Sequence, residues 1–167
     1  PDAYWHGSDT TYQLGDIKID LHYYGINHGM GMTVFELPKE KIVYIADIVI
    51  PHRVIYTIVP DFTPTEWIRT LKEVEKLDFK TAIFSHGSDG KFKGGKAQVT
   101  EVREFLEDLR AAVKIEFDKG TPLTEIPKYV DLPQYHDWDN YDDWIEMNAM
   151  RMALDFHFGP YPWRKIE

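Results

Sequence analysis

Three short segments place a side chain able to bind a metal at or just beyond the end of an apolar run. They are Asn27-His28-Gly29-Met30-Gly31, Tyr44-Ile45-Ala46-Asp47 and Ile83-Phe84-Ser85-His86-Gly87. Strand ends bring distant residues to one rim of a sheet, where a site can be built on rigid elements. Glycines beside His28 and His86 let the backbone turn sharply and leave room for a ligand. The chain contains no cysteine, so thiolate catalysis, disulfides and thiolate metal sites are excluded. Imidazole and carboxylate are the remaining ligands for a catalytic zinc, and the chain's seven histidines keep that option open.

The elements that must position these residues read as β first and helical later. The alternation of Ile17, Ile19 and Leu21 with Lys18, Asp20 and His22 predicts a strand over 17–24, turned at Gly15-Asp16 from another over 11–14. Residues 32–37 and 42–45 flank the polar connection Pro38-Lys39-Glu40-Lys41 as a further hairpin. Thr63-Pro64-Thr65-Glu66 has the form of a capping box with proline at the first helical position. Trp67, Ile68, Leu71, Val74 and Leu77 follow at helical spacing. A short strand over 81–84 leads into Ser85-His86-Gly87, and 90–96 reads as a glycine- and lysine-rich loop. Val99, Val102, Leu106, Leu109 and Val113 mark a long helix ended by Gly120 and Pro122, and 144–158 reads as a last helix.

In order, spacing and strand-end placement these segments resemble the third, fourth and fifth metal motifs of the metallo-β-lactamase superfamily. Asn27-His28-Gly29 is similar to the lone-histidine motif, the hairpin ending in Asp47 to the bridging-aspartate motif, and the strand ending in His86 to the last-histidine motif. The likeness runs from about Asp16 to Gly120. It implies an α/β fold, half of a metallo-β-lactamase-type αβ/βα sandwich with a sheet carrying helices on one face. Residues 1–167 would form a single domain, the C-terminal half of that fold. It also implies that His28, Asp47 and His86 are metal ligands, with Asp47 catalytic as the bridge between two zinc ions, iron or manganese being the alternatives. The reaction implied is hydrolysis of an ester, thioester, lactone or lactam by metal-activated water.

The departure from the family is the H-x-H-x-D-H cluster, which the sequence lacks: His6, His22, His52, His136 and His157 are isolated. The chain begins at Pro1 rather than Met, and an N-terminal half supplied separately, or a second copy in a homodimer, is the partner expected. By itself the chain is expected to be inactive. The alternative is a catalytically inert truncated relative serving as a dimeric binding or structural module. A flavodi-iron-type oxidoreductase is the least favoured, because no flavin domain accompanies the motifs. The substrate would be a small molecule. A net charge of −9 argues against nucleic acid, and no apolar run approaches the ~20 residues of a membrane span. Cytoplasm and periplasm both remain open.

Other residues read more plainly. His52 and Arg53 read as a solvated loop rather than a cleft wall, and His136, Asp137 and Asp139 as part of an exposed acidic, aromatic packing segment. Trp144, Met147, Met150, Met152 and Leu154 read as core or interface. Lys91, Lys93 and Lys96 do not form a phosphate loop. A sheet with Ile17, Ile19, Leu21, Val34 and Ile45, or their opposite-face neighbours, on its inner side would leave an apolar surface open. From the missing cluster, metal analysis of this chain alone after dialysis should find well under one zinc or iron per chain. Stoichiometric metal retained against a micromolar chelator would contradict this and indicate a site shared between copies.

Overall fold

The computed structural model describes residues 5–58 and 62–159. Six strands run in chain order across one sheet: β1 Asp9–Leu14, β2 Ile17–His22, β3 Val34–Leu37, β4 Ile42–Tyr44, β5 Thr81–Ile83 and β6 Lys93–Gly94. All neighbours are antiparallel except β4 and β5, which are parallel. A parallel pair needs a crossover, and here it contains α1, Pro64–Val74. Helices α2, Lys96–Asp118, and α3, Tyr141–Phe158, complete the layer. The segment expected to be a loop before α2 contributes β6, whose two residues pair with Ala82 and Ile83. The run after β4 tightens into a 3-10 turn, Ala46–Ile48.

Register decides what each face carries. Opposed residues share a face, so Leu21, Phe35, Tyr44 and Ile83 form one row across β2 to β5. Val34, Val43 and Ala82 lie on the other face, fully buried beneath the helices with Trp67, Leu71, Phe105, Leu106 and Leu109. The apolar set expected on one inner face is therefore split. Val34 and Ile45 belong to the helix-covered core, whereas Ile17, Ile19 and Leu21 share the open face, because β2 pairs Leu21 with Phe35 rather than with Val34. On that open face Phe35, Tyr44 and Ile83 are each 37–38% exposed, and Tyr12, Leu14 and Ile17 more so. The architecture is a mixed sheet with helices on one face. No helix among the described residues is long and apolar enough to cross a membrane.

The start of α1 departs from its sequence signature. Thr63 occupies the N-cap position but makes no side-chain cap, and its buried hydroxyl has no partner among the described residues. Asp155 of α3 takes over: one of its carboxylate oxygens accepts from the Thr65 hydroxyl and, at 3.3 Å, from the Thr65 N–H. A carboxylate at a helix N-terminus satisfies orphan amides and complements the helix dipole. A local cap is thus replaced by one that also fastens α3 to α1.

Two expectations follow. Asp155→Ala should destabilise the protein by about 1–3 kcal/mol, because the cap is buried and leaves donors unmet. Thr63→Val should be neutral or slightly stabilising, instead of costing the ~1 kcal/mol of a lost hydroxyl cap. Urea unfolding of the two variants separates the alternatives. Covering about 400 Å² of the open sheet face would return about 10 kcal/mol before association costs. Light scattering at micromolar concentration should therefore show a particle larger than the 19.6 kDa chain, and a monodisperse, cooperatively unfolding monomer would exclude such pairing.

Candidate metal centre

The C-terminal ends of β2, β4 and β5 and the start of β3 lie at one rim of the sheet. Tyr44 and Ile83 stand opposite one another as the last residues of parallel strands. Asp47 and His86 each lie three residues beyond, so the same register brings them together: His86 Nε2 is 3.2 Å from Asp47 Oδ1. The pairing continues past the strands, with Ile45 N–H donating to the Ile83 carbonyl at 3.0 Å and Ser85 N–H to Ala46 at 3.5 Å. The Ser85 hydroxyl donates to Asp47 Oδ1, fixing the carboxylate's orientation. The 3-10 turn that presents Asp47 places Ala46 at φ 39°, a left-handed conformation costly for a residue with a Cβ. Gly87 has a different necessity: a Cβ there would sit 1.9 Å from the Lys91 carbonyl oxygen, so only glycine lets the loop close behind His86.

His28 arrives from the β2–β3 connection. Asn27 beside it is fully buried, accepts the His28 N–H at its side-chain oxygen at 2.7 Å and receives the Thr63 N–H at its carbonyl at 2.9 Å. The His28 ring meets the Trp67 ring edge-on, centroids 5.3 Å apart. The Trp67 indole N–H donates to the Ile48 carbonyl at 2.8 Å. One buried indole of α1 therefore braces the turn carrying Asp47 and the loop carrying His28.

His28, Asp47 and His86 line one cavity of about 270 Å³ with Ile50, Arg53 and Tyr56. The donor chemistry, two imidazoles and a carboxylate, is that of a zinc site, but the three side chains do not gather within reach of one ion. Among the described residues no three His, Asp or Glu side chains stand together closely enough to hold an ion by themselves.

Sequence reasoning missed part of this wall. Arg53, read as solvated, is half-buried and lines the cavity, with its guanidinium 4.9 Å from the Trp144 ring centroid. Ile50 and Tyr56 were not singled out, and their position just after the Asp47 turn was the available signal. His52 is exposed and borders a separate cavity of about 370 Å³ with Glu101 and Ser88. Burial raises the Glu101 carboxyl above its ordinary range, opposed by the His52 N–H, which donates to it at 2.6 Å. In the tail, His136 pairs with Asp131 at 2.6 Å, which lowers that carboxyl's pKa, and His136, Asp137 and Asp139 are exposed. Tyr135 and Trp138 pack on Phe105.

No family model matches the chain. In fold it is similar to the inverting sec-alkylsulfatase Pisa1 from Pseudomonas sp., with a TM-score of 0.77 and 16% identity over 96% of this chain and 27% of that one. It is also similar to a metallo-beta-lactamase from Pontibacter korlensis, with a TM-score of 0.52 and 19% identity over 64% of this chain and 49% of that one. The architecture is thus an α/β half of a metallo-β-lactamase-type sandwich. In sequence, 82 residues are 33% identical to the alpha subunit of 2,4-dinitroanisole O-demethylase from Nocardioides sp. (strain JS1661). That match spans 49% of this chain and 25% of the relative. The chain therefore spans about a quarter of the length of both the relative and the sulfatase.

Proposed function

We propose that this chain forms one wall of the active site of a metal-dependent hydrolase, with His28, Asp47 and His86 as its metal-holding residues. The observation that carries the reading is the 3.2 Å approach of His86 to Asp47 at the ends of parallel strands, with His28 on the same cavity. In open sheets the carboxyl ends of parallel strands are where ligands bind. The metallo-β-lactamase-type fold supports the reading, and the sequence relative is by its name one subunit of an enzyme.

The chain's own residues divide the work. Ser85 holds the Asp47 carboxylate, Trp67 braces the Asp47 and His28 segments, and Gly87 lets the loop fold tightly behind His86. Zinc, or iron or manganese in its place, would when bound supply Lewis-acid polarisation of the scissile group and activation of water. The remaining ligands would come from the rest of a longer protein or from a partner. The covering of the open sheet face by that partner, or by a second copy, belongs to the same proposal. The substrate class is an ester, thioester, lactone or lactam. A binding or structural module is the second reading, favoured by the shortage of ligands among the described residues.

In the complete protein carrying this chain, His86→Ala should lower metal content and hydrolytic rate together, the rate by about 10²-fold or more, since a metal ligand and its orienting contacts are lost. Full activity with unchanged metal would remove His86 from the site. An intact protein without metal or turnover would favour the module.

A further inference from the structure

The 53–56 segment is built to a standard that a solvated loop does not need. Val54 N–H donates to the Asp139 carbonyl at 3.1 Å, and Asp139 N–H to the His52 carbonyl at 3.2 Å. Asn148 of α3, fully buried, donates to the carbonyls of Ile55 at 2.8 Å and Thr57 at 3.2 Å, on either side of Tyr56. Trp144 completes the seat, with the Tyr56 ring edge-on at 5.0 Å and the Arg53 guanidinium at 4.9 Å. Among the described residues no carboxylate pairs with that guanidinium, whereas Arg69, Lys72 and Arg103 on the helices each hold one. Among the described residues lining the cavity, Asp47 is the sole carboxylate. In a chain of net charge −9, a lining on which a braced cation balances the one carboxylate is locally less negative than the molecule as a whole.

We propose that Arg53, seated on Trp144 beside Tyr56, is a specificity-determining residue that grips an oxyanion carried by the substrate. This rests on the hydrolase reading of the same cavity. A guanidinium offers a planar fork of N–H donors matched to carboxylate, sulfate or phosphate oxygens. Stacking on an indole leaves the edges of that fork available while it limits the side chain's freedom. The substrate class then narrows to a small ester- or amide-type molecule bearing a carboxylate or a sulfate-type group. The Tyr56 ring, exposed at the cavity mouth, adds an apolar flank.

The test is the indole N–H resonance of Trp144 in the complete protein, assigned with Trp144→Phe and followed during titration with inorganic sulfate at constant ionic strength. A saturable shift is expected, with its midpoint raised about tenfold or more in Arg53→Gln and by less in Arg53→Lys, which keeps the charge but loses the fork. A parallel titration with acetate separates a planar carboxylate from a tetrahedral group by which midpoint is lower. No saturable shift in the wild type, or the same midpoint in Arg53→Gln, overturns the proposal. Should Arg53→Gln not fold, the Arg53→Lys midpoint decides, equality with the wild type counting against it. Metal analysis of the same samples keeps the two readings apart. A sulfate response without any metal supports the anion site while the hydrolase reading falls. Bound metal and turnover of a neutral ester without a sulfate response overturns the anion site alone.

Discussion

Parallel pairing of β4 with β5 is the constraint on which the rest of the molecule depends. Every other neighbouring pair is antiparallel and joined without an α-helix, and the parallel one requires the chain to leave the sheet and return. The excursion contains α1, whose Trp67 then lies across the loops at the sheet's rim. The same register sets two strand ends level, so two side chains equally far beyond them meet. Had β5 run the other way, Asp47 and His86 would stand at opposite rims.

The connections above the sheet are held by single buried polar groups, each bridging two segments. Asn27 ties the β2–β3 loop to the start of α1, Trp67 ties α1 to the turn after β4, and Asp155 ties α3 to α1. Such bonds add modestly to stability but leave buried donors or acceptors unmet when broken, so they specify one arrangement. Hydrophobic burial beneath the helices supplies the bulk of the driving force, and these joints select which packed state is native.

Much of this was legible in the sequence for a physical reason: periodicity and strand ends are local properties. The hairpin strands, the apolar stripe of α1 and the positions of Asp47 and His86 just past strand ends follow from spacing over a few residues, whereas His28 lies midway along the β2–β3 connection rather than at a strand end. What failed was non-local. Thr63-Pro64-Thr65-Glu66 has the form of a capping box, yet Asp155 caps the helix from 90 residues away. The face assigned to Val34 and Ile45 depended on a register that alternation alone leaves open, and β6 is too short to show alternation at all. Arg53 looked solvated because Trp144 and Asn148, which seat its loop, lie nearly a hundred positions on.

That distance has a kinetic meaning. The strand ends and the α1 crossover close over modest stretches of chain, but the wall carrying Arg53 and Tyr56 is set by bonds from Asn148 that span 91 and 93 residues. The entropy of closing such loops must be met before the contacts repay it, so this wall belongs to the slow, high-contact-order part of assembly. The rim carrying Asp47 and His86 and the wall carrying Arg53 and Tyr56, which line one small cavity, are thereby assigned to different stages of folding. A nascent chain that has not yet docked α3 would hold the rim without the wall.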